Sequence, residues 1–407
     1  LCFWCCWGAL GLVCLGVVLM VGRGPSSSHT IAPERAAKLF AQRHPNADGF
    51  QVVLYGSLAK TGRGHGTDRV LAETLPRKTE IVFDEQTETP HPNTMDISAY
   101  RGGALLGRLR VYSVGGGEIR IEGEPDRTPP PVYRFHTYDQ IKAHCAEHQI
   151  RIPQYVRQEE GIGIMTFLDG IWQRMRQSIR EGLDAEGELP GGLRLQRKAG
   201  YLLRQRHIDE RPETREDRIV CAYAYAVSEQ SAAGGVVVTA PTCGASGVVP
   251  AVLRYMQEKH GFTDAEVLDA LATGGIIGNI IKTNASISGA QCGCQAEIGS
   301  ACCMAAAALA ELFKMDLEQI EYAAESAMEH HLGLTCDPIR GLVQIPCIER
   351  NAVAAMRAIG SLNLANFLTH TRKISFDMVV ETMYQTGKDM NRIYRETSEG
   401  GLAKLYR

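Results

Sequence analysis

A chain of 407 residues with 44% hydrophobic side chains is long enough to build two cores, and a net charge of -3 leaves no basic footprint for nucleic acid. Thirteen cysteines in a chain of this length are not the evenly stapled set of a small secreted scaffold, which points to reduced thiols in a cytoplasmic enzyme. Charged residues at 22% and the lack of any low-complexity tract exclude extensive disorder.

The chain opens on an apolar run, Leu1 to Val21, close to the roughly 20 residues that a membrane helix needs. It has no charged start and no small-x-small cleavage signal, and it runs straight into a loop that reads as functional. Residues 1–23 are therefore expected to be a non-native leader, with membrane contact only if that leader is genuine. Next comes Gly24-Pro25-Ser26-Ser27-Ser28-His29-Thr30, directly before a helix predicted from Ala32 to Arg43. Hydroxyls and free N–H groups at a helix start cradle carboxylates or phosphates, although Ser and Thr also serve there as ordinary caps.

Strands are predicted over Gln51–Tyr55, Thr79–Phe83, Met95–Tyr100 and Leu105–Val114, with a Gly115-Gly116-Gly117 turn into Glu118–Ile121. Between the first two lies Gly56 to Asp68. It lacks the Gly-Lys-Ser/Thr string of a phosphate loop but sets His65 between Gly64 and Gly66, where backbone and imidazole can both approach a ligand. His91-Pro92-Asn93 is a further candidate loop. Together these elements predict a small domain over residues 24–131, closing at Pro129-Pro130-Pro131.

From residue 137 to residue 407 helical spacing dominates, including one continuous helix expected from Ala285 to Phe313. Cys302 and Cys303 on that Ala-rich stretch read as small buried residues. Thr239 to Gly247 and Asn284 to Ala290 offer donors at helix starts, as anion contacts or as caps. Cys294, Cys336 and Cys347 stand apart, each among small, turn-forming or polar residues. Three thiolates, rather than four, would hold a cubic iron–sulfur cluster and leave one iron free to act as a Lewis acid. Their spacing is unlike that of ferredoxins and does not by itself name a cofactor.

Taken together, Gly24–Thr30, Tyr55–Asp68, His91–Asn93, Thr239–Gly247, Asn284–Gln295 and Leu334–Asn351 resemble the single-chain iron–sulfur L-serine dehydratases of bacteria. The resemblance runs from about Gly24 to Ala403. It implies an α+β fold, in which an N-terminal α/β domain like an allosteric substrate-binding domain precedes an all-helical catalytic domain. It implies a homodimer acting on L-serine, with a 4Fe–4S cluster on Cys294, Cys336 and Cys347 and no pyridoxal phosphate. Elimination would follow from coordination of the serine hydroxyl to the open iron, with His65 as the first candidate base and His29 the second. Ser26, Ser27, Ser28, Thr30, Thr242, Lys282, Asn284 and Ser286 are the expected substrate contacts.

Three departures from the family pattern stand out. Cys243 takes a place where relatives often have Asn, as a pocket residue or a fourth thiolate. Arg340 takes a place where Gly is usual, and no cysteine follows Cys347 to fold back onto the iron. Two rival readings are a pyridoxal-phosphate enzyme built on Lys282 and a non-catalytic serine-sensing or zinc-binding protein.

Overall fold

The computed structural model describes residues 12–125, 130–205, 209–368 and 371–406. The first half of the apolar opening, residues 1–11, and Pro129 of the expected linker lie outside these. From Leu12 onward the apolar run is core. Leu12, Leu15, Val18 and Leu19 are fully buried within the helical domain. Strand β1 (Val21–Arg23) pairs antiparallel with β7 (Val236–Val238), joining Val21 to Val238 and Arg23 to Val236.

The smaller domain places α1 (Ala32–Arg43), α2 (Gly56–Thr61) and α3 (Thr67–Thr74) with a five-stranded sheet. Its strands are β2 (Gly49–Tyr55), β3 (Lys78–Asp84), β4 (Thr94–Arg101), β5 (Ala104–Gly115) and β6 (Glu118–Ile121), in the order β3-β2-β4-β5-β6. Strand β2 alternates buried and half-buried positions, as expected of a strand with one face on a core. Its parallel pairing with β3 needs a crossover, and α2 and α3 supply it. The remaining pairs are antiparallel. The core of this domain gathers Phe40, Val52, Leu54, Leu58, Leu71, Ile97 and Val111.

The larger domain comprises α4 (Tyr138–Glu147), α5 (Ile152–Glu160), α6 (Gly163–Asp184), α7 (Ala199–Arg204), α8 (Pro212–Ala232), α9 (Val248–His260) and α10 (Asp264–Asn284). It continues with α11 (Gly289–Cys292), α12 (Ser300–Leu312), α13 (Leu317–Glu329), α14 (Cys347–Leu368), α15 (Phe376–Asp389) and α16 (Gly401–Leu405). Every residue of α12 is buried, Cys302 and Cys303 included. Its Ala-rich surface lets α10 approach so closely that a Cβ on Gly274 would lie 2.7 Å from the Met304 carbonyl. Capping boxes start α10 at Thr263 with Glu266 and α13 at Asp316 with Gln319. Among the described residues, no helix is long and apolar enough to cross a membrane.

The continuous helix expected from Ala285 to Phe313 is broken. Gly293 takes φ 73°, a left-handed conformation suited to glycine, and a Cβ there would meet the Met390 sulfur at 2.7 Å and the Leu334 carbonyl at 2.8 Å. The break ends α11 and leaves Cys294 at the head of a wide turn, Gln295–Gly299, that leads into α12.

Candidate active site

Cys294 follows the Gly293 break, Cys336 lies on the loop after α13, and Cys347 is the first residue of α14. All three border one small cavity of about 20 Å³, alongside Pro25, Ser26, His65, Gly244, Glu297 and Glu396. The thiols sit in contrasting fields. A hydrogen bond from Cys336 and the neighbouring Arg350 guanidinium bring the Cys294 thiol down to about 6, while burial pushes the Cys347 thiol up. Arg350 is held over the cysteines by the Thr335 carbonyl at 2.6 Å and by Asp337 at 3.5 Å. Burial, then the Cys294 charge, pushes the Glu297 carboxyl up to about 8. Its Oε2 lies 4.0 Å from the Cys336 sulfur.

The Ser-rich loop folds into a network behind this cavity. Ser26 caps the turn by accepting from the His29 N–H at 3.1 Å, and its Oγ lies 3.2 Å from that of Ser28. Thr30 donates to the His65 carbonyl at 3.1 Å, and Thr67 donates to the His29 carbonyl at 2.6 Å. Ser27 is buried in the same turn. The two imidazoles stack with centroids 4.3 Å apart.

Hydrogen-bond accounting fixes both tautomers. His65 Nδ1 is 2.8 Å from the Thr61 carbonyl, which only accepts, so Nδ1 carries the proton and Nε2 the lone pair. Thr61 Oγ1 and Ser57 Oγ already donate to the carbonyls of Ser57 and Glu396, so at 3.0 and 3.2 Å from His29 Nε2 they accept from it. The lone pair of His29 is thus on Nδ1, beside Ser28 Oγ at 3.0 Å. Burial holds His65 down to about 4 and His29 well below the usual imidazole range. Both rings are neutral bases at neutral pH.

The other expected contacts fall elsewhere. Thr242 is buried beside Glu297. Lys282 pairs with Glu118 at 2.6 Å, Asn284 donates to the His136 carbonyl at 2.7 Å, and Ser286 bonds Gln291 at 2.6 Å. None of these three borders the cysteine cavity. His91 meets Gln291 at 3.1 Å in the same interdomain region. Cys243 is buried with its sulfur 4.0 Å from the Arg23 carbonyl, and its neighbour Gly244, rather than Cys243, lines the cavity.

Glu297, Arg350 and Glu396 were not among the predicted site residues. Glu297 and Arg350 stand three positions after Cys294 and Cys347, a helical spacing that returns a side chain to the same face. That periodicity was the available signal for both. Glu396 carries no comparable signal, since only the fold brings the C-terminal segment to the cysteines.

Residues 146–403 match the family model for the serine dehydratase alpha chain, and residues 17–76 match that for the serine dehydratase beta chain. The chain is 39% identical to an L-serine dehydratase of Haemophilus influenzae, over 94% of this chain and 97% of that one. It is 40% identical to an L-serine dehydratase of Streptomyces coelicolor, over 94% and 96%, and 40% identical to L-serine dehydratase 2 of Escherichia coli, over 95% and 97%. With both family models matched in order and relatives covered almost end to end, this chain belongs to the serine dehydratase family.

Proposed function

We propose that this chain is an L-serine dehydratase that converts L-serine to pyruvate and ammonia, using a 4Fe–4S cluster held by Cys294, Cys336 and Cys347 and no pyridoxal phosphate. The observation that carries the reading is the meeting of three cysteines from separate segments at one cavity that His65 also borders. The donor set fits such a cluster: soft thiols with an arginine beside them, one already biased toward thiolate. When bound, a cubic cluster with three protein ligands supplies a Lewis-acidic iron that eases departure of a hydroxyl.

The chain supplies the rest. The Ser26 hydroxyl and the backbone at Gly244 border the cavity, where they orient the substrate carboxylate and stabilise charge that builds on it as the α-proton leaves. His65 Nε2, with its lone pair free, accepts that proton, and His29 packs behind it as support. Burial of the pocket keeps bulk water from the developing carbanion. The enamine that remains after loss of water tautomerises and hydrolyses to pyruvate and ammonia. Lys282, Asn284 and Ser286, held in bonds away from the cavity, shape the junction between the domains in this reading. The engagement of Lys282 with Glu118 favours the cluster over a Schiff base on that lysine.

Assembly as a homodimer is supported by apolar side chains exposed on α14 and α15: Val353, Phe367, Leu368 and Met378. A cytoplasmic setting suits the ten free cysteines among the described residues. The test of function is pyruvate release from L-serine by protein prepared without oxygen and loaded with iron and sulfide. Turnover is expected, and its absence from an iron-replete sample would favour a binding protein.

A further inference from the structure

The C-terminal segment carries a carboxyl group into the site. Cys336 N–H donates to the Tyr394 carbonyl at 2.8 Å and Glu396 N–H donates to the Cys336 carbonyl at 2.8 Å, so the segment pairs with the cysteine loop. Ser398 donates to the Pro338 carbonyl at 2.6 Å, and Asp337 accepts from the Leu402 N–H at 2.7 Å. On its other side the segment binds the smaller domain: Ser57 donates to the Glu396 carbonyl at 2.7 Å, and Lys60 pairs with Glu399 at 2.5 Å.

Held this way, Glu396 is 4% exposed. Its Oε1 stands 3.6 Å from His29 Nδ1 and 3.6 Å from His65 Nε2, the two nitrogens that carry the lone pairs. Among the described residues, no group bonds to its Oε2. The three ligand atoms lie within 4.8 Å of one another. Nδ1 of His65 is anchored by the Thr61 carbonyl and Nε2 of His29 by two hydroxyls. Both distances are packing contacts rather than hydrogen bonds, so the buried carboxyl acts by filling the space beside His65 Nε2 and, together with Ser28, beside His29 Nδ1.

We propose that Glu396 is a positioning residue, which fixes the two imidazoles so that His65 Nε2 is aimed at the substrate beside the cysteines. The proposal rests on the dehydratase reading and assigns no proton transfer to Glu396 itself. Removing the carboxyl opens space against the His65 ring and its stacked partner His29, and a displacement of about 1 Å in a reacting group costs on the order of 100-fold in rate.

The experiment compares Glu396→Ala and Glu396→Gln in the iron-loaded, full-length enzyme. Glu396→Ala should lower kcat by about 100-fold with KM and the visible absorption of the cluster unchanged, because the base is misplaced and the binding groups are not. Glu396→Gln keeps a side chain of the same shape packed against both rings and should recover most of that loss. Histidine-selective nitrogen NMR of the same samples should show the His65 ring resonances shifted and broadened in Glu396→Ala but near their original positions in Glu396→Gln. Unchanged kcat in Glu396→Ala, equal loss in both variants, or loss of cluster absorption would each overturn the proposal. If the wild-type protein turned over no serine, the functional reading would fail, while the NMR comparison would still decide whether Glu396 holds the rings.

Discussion

Burial disfavours the charged form of an imidazole, and it lowers the pKa of four of them here. His65, His91 and His331 are each brought down to about 4, and His29 lies well below the ordinary value. Consider His331, whose Nδ1 donates to the Ala327 carbonyl at 2.7 Å and which stands clear of the cysteine cavity. Its folded pKa is depressed, so between about pH 6.5 and 4 the unfolded chain binds a proton that the folded chain does not. Stability is therefore full above pH 6.5 and falls as the pH drops toward 4, by about 2 kcal/mol at pH 5 for one such group. The urea midpoint of wild type should fall more between pH 7 and pH 5 than that of His331→Gln. An equal fall in the two proteins would contradict the assignment.

Loop conformation explains one departure from the family pattern. Arg340 takes φ 55° and ψ 24°, the left-handed region, directly before Gly341 at φ 67°. The position therefore suits the glycine that the family resemblance led one to expect, and arginine there costs about 1 kcal/mol. Arg340→Gly should raise unfolding free energy by about 0.5–1 kcal/mol with the loop intact. Denaturant titration reads this directly, and a destabilised variant would show that the Arg340 contact with the Gly192 carbonyl matters more. The strand pattern of the smaller domain and most helices were legible because alternation and helical spacing report which face meets a core. The break at Gly293 was not. Gly293 takes a positive φ there, and a Cβ at that position would clash with the Met390 sulfur and the Leu334 carbonyl, contacts that only the folded chain brings to it. Likewise Gly56–Thr61, read as loop, is helical because it is the start of the crossover between β2 and β3.

Over the whole molecule, the site forms where the two domains and the C-terminal segment meet. Gly64 illustrates the fit: a Cβ there would lie 2.5 Å from the Gly341 carbonyl, so the loop bearing His65 rests directly on the loop between Cys336 and Cys347. The residues of the candidate site were largely visible in the sequence as cysteines and histidines in unusual surroundings. Their partners Glu396 and Ser57 were not, because they lie 339 residues apart and meet only once the chain has folded. The same distance effect hid the role of residues 12–23. The apolar run was expected to be a leader or a membrane segment, whereas Leu12, Leu15, Val18 and Leu19 pack in the core of the larger domain and Val21–Arg23 pairs with Val236–Val238.

The central claim is that Cys294, Cys336 and Cys347 together hold a catalytic cluster. The most direct measurement is the iron content and visible spectrum of the anaerobically loaded protein, compared with Cys336→Ser and followed on addition of L-serine. The account predicts about four irons per chain with a broad brown absorption that shifts when L-serine is added, and loss of both in Cys336→Ser. Iron retained at wild-type level in Cys336→Ser, or a wild-type spectrum indifferent to L-serine, would contradict it.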